Sequence, residues 1–229
     1  MRLLGIETAT RRLSVALWQD GELTERAEEL PNGGSERLLP WVHELLQEAG
    51  LVPTQLDGIA FGAGPGGFTG LRLACGVAQG LAWGLDLPVV PVSTLEALAL
   101  ASGERDVWTC LDARMNEVYC AAYRVDGDAV TQLMAPVCVP PAAAPAPGFS
   151  GGCGVGDGFA AYGTLLLARK PDLSSVHADV FPTAAAVLRR AAHRFASGDT
   201  VAAALAQPIY IRDKVALTTV ERMARGGAK

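Results

Sequence analysis

The feature that most limits how this chain can fold is a glycine-rich turn, FGAGPGGFTGLR at residues 61–72, between an apolar run and a long apolar helix pattern. Gly62, Gly64 and Gly67 have the spacing G-x-G-x-x-G, which is typical of turns that hold the phosphates of a dinucleotide. Glycine is also required wherever two backbone segments pass close together. The turn therefore predicts either a nucleotide site or a tight crossing of two pieces of backbone.

Three observations weaken the nucleotide interpretation. The sequence before the turn predicts three antiparallel strands, not the single strand that opens a dinucleotide-binding fold. The acid expected at the end of the next strand is missing, because that strand ends in VVPVST and Asp86 lies before it. No Lys-Ser or Lys-Thr pair follows the glycines, which excludes a P-loop. The turn therefore favours a structural role for its glycines.

The helix predicted over residues 68–85 is apolar on nearly all sides. Two sets of small residues recur every four positions and form stripes along it: Gly70, Ala74, Ala78 and Ala82, and Gly76, Gly80 and Gly84. Each interior glycine costs roughly 1 kcal/mol of helix stability relative to alanine, which indicates that another backbone approaches closely. A helix of this kind must be covered on most of its surface. One lobe of the chain can cover one side, so we expect a second protein to cover the other.

We expect this helix and another, predicted over residues 35–49, to form one protein-binding surface. Trp41 and Trp83 fall near the polar sides of their helices, where tryptophan is typical of an interface anchor. The alternative is that both are partly buried side chains that lie off the apolar face by chance. The predicted interface residues are Leu38, Trp41, Val42, Leu45, Leu71, Gly76, Gly80, Trp83 and Gly84.

The order of predicted elements indicates an α/β protein with two related lobes. Each half begins with three strands and later contains a strand, a glycine turn and a helix, and GVGDG at residues 154–158 is the second such turn. Further helices fit residues 183–197 and 200–205. We place the boundary near residue 102, which gives lobes at residues 1–102 and 103–229, and we expect the polar end of the second lobe to be frayed.

Charge and cysteine usage limit the partners and the environment. The chain has a net charge of −5 at pH 7 and no basic stripe, so we expect it to bind RNA only weakly on its own. Its five cysteines lack C-x-x-C spacing, which is typical of reduced thiols in a reducing compartment. The sequence shows neither a signal-peptide pattern nor an apolar run long enough for a membrane span. We therefore expect a cytoplasmic protein with no membrane contact.

Metal-binding and catalytic motifs are weak. His43, His177 and His193 are isolated from one another, so no two histidines have the i, i+4 spacing that holds a metal on one helix face. We therefore expect no metal. The motifs G-x-S-x-G and H-E-x-x-H are absent, and no Cys–His arrangement stands out, which argues against a peptidase.

Five segments resemble the TsaB family, which is also called YeaZ. They are LLGIETATRRLSVAL at 3–17, GAGPGGFTGLRLACGVAQGLA at 62–82, VSTLEALA at 92–99, LDARMNEVY at 111–119 and QPIYIR at 207–212. They occur in the family's order and extend over nearly the whole chain. Because the glycine motif together with DARMNEVY is specific, the chain is identified as a member of this family.

The resemblance implies two RNase H-like lobes, as in actin, Hsp70 and sugar kinases. It also implies a non-catalytic partner of the paralogue TsaD, which transfers a threonylcarbamoyl group to N6 of adenosine 37 in tRNAs that read codons starting with A. We accordingly expect a heterodimer with TsaD through helices of the N-terminal lobe, contact with the ATPase TsaE, and self-association through the same surface. The chain alone is expected to have no cofactor, and ATP or ADP, like tRNA, is expected only in the complex.

Within this superfamily the nucleotide loops of the chain look degenerate. In related kinases an acid in the first hairpin organises metal and phosphate, and Glu7 stands in that place with Thr8 after it. Together with Gly64, Gly66 and Gly67, these residues are the candidate nucleotide-binding positions, although Glu7 is equally well explained as a turn residue. The competing function is an ATP-dependent kinase-like enzyme or a peptidase of the same superfamily.

Two further features stay open at this point. Asp112, Arg114 and Glu117 in the DARMNEVY hairpin are either a charge cluster at the contact between the lobes or part of a site. Gly34 stands where the family often has a histidine before Ser-Glu-Arg, which puts any role of that histidine in doubt for this chain.

Overall fold

The computed structural model describes residues 1–30 and 34–212, whose strands form two five-stranded mixed sheets. The first consists of β1 (Arg2–Glu7), β2 (Arg12–Gln19), β3 (Glu22–Glu29), β4 (Gly58–Gly64) and β5 (Val89–Ser93), in the spatial order β3-β2-β1-β4-β5. The second consists of β6 (Asp106–Asp112), β7 (Val118–Asp126), β8 (Ala129–Val139), β9 (Cys153–Val155) and β10 (Ser175–His177), in the order β10-β9-β6-β7-β8.

Helices lie against both sheets. The described α-helices are α1 (Ser35–Glu48), α2 (Phe68–Leu85), α3 (Thr94–Ser102), α4 (Asp157–Arg169) and α5 (Ala184–Ser197). Short 3₁₀ helices occur at Pro53–Gln55, Pro141–Ala143 and Ala203–Leu205. The sequence pattern predicted α1, α2, α4 and α5 and all strands except β10, whereas the helix predicted over residues 200–205 is only the short 3₁₀ turn Ala203–Leu205.

The two sheets have the same topology. In each, the first strand in chain order pairs antiparallel with the second and parallel with the fourth, and the fourth pairs parallel with the fifth. The lobes differ at the connection before the fourth strand, where α1 precedes β4 but only the short helix Pro141–Ala143 precedes β9. The repeated topology confirms the predicted architecture of two α/β lobes.

Both faces of the first sheet are covered at its centre, so β1 and β4 are buried on both sides, whereas the edge strand β3 is polar. Leu4 and Ile6 of β1 lie in one core cluster with buried residues of α1 and α2. Leu3 lies in a second cluster with residues of α3, α5 and the second sheet. This arrangement explains why the central strand reads as a continuous apolar run and not as an alternating one. None of the helices in the described parts of the chain combines the length and apolar character that crossing a membrane requires.

Helix α5 follows the second sheet in sequence but packs against the first. A side-chain carbon at Gly5 of β1 would lie 2.6 Å from Cγ of Leu188, so the glycine makes room for this leucine. After α5 the chain continues along the first lobe, where Val89 and Val201 form a β-bridge. The assignment of residues 184–206 to the second lobe is therefore wrong, because their apolar side chains cover the first sheet. The predicted frayed end falls in residues 213–229, outside the described part of the chain.

Replacement of Leu188 by Ala tests this packing. The side chain is fully buried in the cluster that joins the lobes, and such truncations cost about 3 kcal/mol. We expect the free energy of unfolding, measured by urea titration, to fall by that amount while unfolding stays a single transition. A second transition in the variant or the parent would contradict a core shared between the lobes.

Candidate functional site

The glycine turn after β4 crosses directly over the loop that follows β1. A side-chain carbon at Gly62 would overlap the carboxylate of Glu7, and one at Gly70 would overlap the backbone carbonyl oxygen of Thr8. At Gly66 it would lie 2.5 Å from the backbone oxygen of Ala9. These glycines are required because two backbone segments leave no space for a side chain, as the structural interpretation of the turn predicted.

Hydrogen bonds hold the crossing together. The backbone N–H of Gly67 donates to the carbonyl oxygen of Ala9 at 2.7 Å, and the Thr8 hydroxyl donates to the carbonyl oxygen of Gly70 at 2.6 Å. The backbone N–H of Ala9 donates to Oε1 of Glu7 at 2.6 Å. The N-terminal end of α2 is thereby fixed to the end of β1.

Glu7 lies under this crossing and is fully buried. Its Oε2 is 3.4 Å from the hydroxyl of Thr94, which also accepts a hydrogen bond from the N–H of Gly64 at 3.1 Å. Burial raises the pKa of Glu7 to about 7, against the opposing effect of the hydrogen bonds from Ala9, Thr94 and Thr8. The acid is therefore buried under the crossing and does not line the cleft in this conformation, which favours a structural role for Glu7 over nucleotide binding.

A cleft of about 1080 Å³ lies between the two lobes beside the crossing. It is lined by residues 8–11 and 65–71 of the first lobe, by residues 111–115 of the second, and by residues 209–212. Among the candidate nucleotide-binding residues, Thr8, Gly66 and Gly67 line the cleft, whereas Glu7 and Gly64 do not. Gly64 instead packs against the backbone oxygen of Ile209, which lies 2.7 Å from the position of a side-chain carbon.

Residues 209–212, which we call the strap, connect the lobes across this cleft. The N–H of Ile209 donates to the carbonyl oxygen of Ala63 at 2.7 Å in the first lobe. The guanidinium of Arg212 donates to the carbonyl oxygen of Ala113 at 2.8 Å and to Oε2 of Glu117 at 2.6 Å in the second. The strap therefore limits how far the lobes can move apart. Sequence reasoning noticed QPIYIR only as a family motif, since the positions that it joins are distant in the chain.

The predicted charge cluster lies on the second-lobe side of the cleft and consists of two parts. Arg114 donates through its side chain to Oδ2 of Asp112 at 2.9 Å, whereas Glu117 pairs with Arg212 of the strap. Asp157, which sequence reasoning missed as a member, accepts a hydrogen bond from the N–H of Asp112 at 2.9 Å. Burial raises the pKa of Asp157, and the nearby charge of Asp112 raises it further. The acid in the second glycine turn, GVGDG, was the available signal for Asp157.

Gly34 has a defined structural role. It precedes α1 with φ of 100°, a left-handed conformation that glycine adopts without strain. A side-chain carbon there would also lie 3.2 Å from Cδ1 of Leu30. A histidine at this position would be strained, so the chain's departure from the family pattern fits the backbone that it adopts.

The second candidate site is the exposed face of α2. Trp83 is 73% exposed, which is unusual for a tryptophan on a helix surface. Gly76, Gly80 and Gly84 are also exposed, and a side-chain carbon at any of them would meet open space. Within the described chain, no backbone covers these glycines. We define the α2 face as Gly76, Gly80, Trp83 and Gly84.

The other predicted interface residues do not lie on this face. Leu38, Val42 and Leu45 of α1 and Leu71 of α2 are buried. Their prediction as interface residues is wrong, because the apolar stripe of each helix covers the chain's own first lobe. Trp41 is half-buried and packs against the same core as α1, which agrees with the alternative of a partly buried tryptophan.

The chain consists of two α/β lobes of the same topology with a cleft between them. This architecture places it in the class of proteins built from two RNase H-like lobes. Over residues 32–220 the sequence matches the family model TsaD, tRNA N6-adenosine threonylcarbamoyltransferase. The chain is 37% identical to the tRNA threonylcarbamoyladenosine biosynthesis protein TsaB of Escherichia coli strain K12, over 94% of this chain and 96% of that protein. It belongs to the TsaB family.

Other relatives agree. TsaB of Haemophilus influenzae is 36% identical over 94% of this chain and 95% of its own length. The structure titled YeaZ from Pseudomonas aeruginosa superposes with a TM-score of 0.84 at 36% identity, covering 91% of this chain and 99% of that one. The relation therefore includes both sequence and fold along almost the whole chain.

Two alanine substitutions in α2 separate the roles of its glycines. At Gly70 the new methyl group would overlap the Thr8 backbone, so we expect Gly70→Ala to lower the free energy of unfolding by about 3 kcal/mol or to prevent folding. At Gly76 the methyl group meets open space, so Gly76→Ala should raise the free energy of unfolding by about 0.5–1 kcal/mol, because alanine favours the helix more than glycine does. Urea unfolding of both variants measures these changes. Equal changes in the free energy of unfolding at Gly70 and Gly76 would contradict the close crossing at Gly70.

Glu7→Gln tests the buried acid through pH. Between the ordinary pKa of 4.5 and about 7, the folded chain binds more protons at this site than the unfolded chain, so stability falls as pH rises through this window. The amide does not titrate. We therefore expect the stability of Glu7→Gln relative to the parent to rise by about 2–3 kcal/mol between pH 4.5 and 8.

The matched control is Glu36→Gln. Hydrogen bonds, led by the one from its own backbone N–H, lower the pKa of the exposed Glu36. We therefore expect the stability of Glu36→Gln relative to the parent to fall, not rise, as the pH increases through the titration of this group. A Glu7→Gln variant whose relative stability is constant with pH would show that Glu7 is not buried as described.

Proposed function

We propose that this chain is a non-catalytic partner subunit that supports TsaD in the transfer of threonylcarbamoyl to N6 of adenosine 37 of tRNA. The observation that carries the proposal is the α2 face, with its exposed tryptophan and open glycines. Membership in a family named for threonylcarbamoyladenosine biosynthesis supports the pathway, and the match to the TsaD model supports a common fold with that enzyme.

The α2 face has the chemistry of a docking surface for another helix or loop. Exposed glycines at four-residue spacing leave the helix backbone accessible, and each costs helix stability that no contact within the described chain offsets. Trp83 beside them offers a large, rigid apolar area of the type that anchors interfaces. We therefore assign this face to the TsaD contact and to self-association of the chain, which would compete with each other.

The cleft supports the partner role over the kinase-like alternative. Phosphoryl transfer requires acidic side chains that face the metal and the phosphates. Glu7 is instead buried and hydrogen-bonded beneath the glycine turn. The acids that line the cleft are already bound, Asp112 to Arg114 and Asp157 to the N–H of Asp112. The strap also joins the lobes across the cleft where a nucleotide-driven hinge would have to move. We accordingly expect ATP or ADP to bind only in the complex with TsaD, and TsaE to join there.

Four of the described cysteines are poor nucleophiles, which disfavours the peptidase alternative. Burial raises the pKa of Cys75, Cys110, Cys138 and Cys153, which disfavours the reactive thiolate. The described cysteines are all free thiols, which fits a reducing cytoplasm. With a net charge of −5, the chain is proposed to meet tRNA only through its partner.

Binding of the TsaD subunit to variants of the α2 face tests the proposal. Trp83→Ala removes the exposed anchor, and we expect the dissociation constant to rise about 30-fold, which corresponds to a hot-spot loss of about 2 kcal/mol. Gly80→Leu places a bulky side chain where the partner backbone approaches and should weaken binding at least as much. Affinity is measured by biolayer interferometry with immobilised TsaD.

The chain provides a matched control in Gly163→Leu. Gly163 lies within α4 of the second lobe, and a side chain there also meets open space. This variant has the same change in composition and a similar gain in helix propensity, so it should bind TsaD as the parent does. Circular dichroism establishes that all three variants fold. Unchanged affinity of Trp83→Ala and Gly80→Leu would place the contact elsewhere.

A further inference from the structure

We propose that Glu104, Cys153 and His177 form a binding site for a thiophilic divalent cation, best suited to Zn²⁺, at the outer edge of the second sheet. The site is separate from the cleft and from the α2 face. It departs from the expectation of no metal, which rested on the isolation of the three histidines from one another. The partners of His177 are a cysteine and a carboxylate, distant in sequence, so histidine spacing could not indicate them.

The topology of the second sheet brings two of the ligands together. Strands β9 and β10 are parallel, with Cys153 opposite Ser175 and Val155 opposite His177. Because side chains alternate along a strand, Cys153 and His177 project from the same face of the sheet. Glu104 reaches them from the connection between the lobes, one residue after Gly103, which ends α3 in a left-handed conformation.

The distances fit ligands of one ion. Oε1 of Glu104 and Nε2 of His177 are 3.4 Å apart. One ligand atom from each of Glu104, Cys153 and His177 lies within 4.8 Å of the other two. A tetrahedral zinc ion with bonds of about 2.0–2.3 Å holds its ligand atoms roughly 3.3–3.8 Å apart. The carboxylate and imidazole therefore already have this spacing, which is long for a hydrogen bond. The thiol needs to move by no more than about 1 Å.

The donor set selects the metal. Thiolate, imidazole and carboxylate are the ligands that zinc prefers, whereas magnesium and calcium prefer oxygen alone. Cys153 is buried, but the side chains of His177 and Glu104 are 41% and 44% exposed, so the fourth position is open to water. A bound ion would join the connection between the lobes to the edge strand β10, and would thereby stabilise the second lobe.

Titration with Co²⁺ and Zn²⁺ tests the site directly in the full chain. Co²⁺ bound to a thiolate absorbs in the near-ultraviolet by charge transfer. We expect the purified, chelator-treated protein to develop this band with one equivalent of Co²⁺ and to lose it when Zn²⁺ is added. Cys153→Ser should abolish the band. His177→Ala and Glu104→Gln should each weaken the affinity for Co²⁺ at least tenfold. Zn²⁺ should raise the Tm of the parent but not that of Cys153→Ser.

Controls use the same residue types elsewhere in the chain. Cys138→Ser removes a partly exposed thiol of β8, and His43→Ala removes an exposed histidine of α1, so both variants should bind Co²⁺ as the parent does. If Cys153→Ser does not fold, His177→Ala decides the question, because its side chain is partly exposed and not part of the core. A band that survives His177→Ala at full affinity, or that Cys138→Ser abolishes, would overturn the proposal. Equal affinities of the parent and His177→Ala for Co²⁺ would also overturn it.

Discussion

The close crossing between the end of β1 and the glycine turn is the constraint on which the rest of the first lobe depends. Gly62 and Gly70 must lack side chains because Glu7 and Thr8 occupy that space. The hydrogen bond from Gly67 to Ala9 then fixes where α2 begins. A turn that resembles a phosphate-binding motif therefore binds the chain's own backbone.

This crossing determines which side of α2 faces outward. Its alanine stripe packs on the first sheet with Ile6 and Val15, and its glycine stripe is left exposed together with Trp83. The strap joins the lobes across the cleft, and the glycine stripe of α2 is left uncovered in the described part of the chain. An exposed helix face of this kind is suited to contact with another protein.

The sequence predicted the strand and helix order well, because apolar periodicity and glycine turns are local signals. It could not predict whether the apolar face of a helix is covered by the chain's own sheet or by another protein. Leu38 and Leu45 were assigned to a protein interface, yet they cover the chain's own sheet. Helix α5 was assigned to the second lobe by position, although Leu188 fills the space beside Gly5. Asp157, Arg212 and the neighbours of His177 were missed because their contacts join distant segments.

Hydrogen–deuterium exchange of the chain, with and without the TsaD subunit, distinguishes docking at the α2 face from docking at the cleft. We expect the partner to bind the α2 face while the strap keeps the cleft unchanged. Backbone amides of residues 76–85 should exchange more slowly in the complex, and those of residues 111–115 should be unchanged. Protection of residues 111–115 without protection of α2 would contradict the account, because the partner would then bind at the cleft.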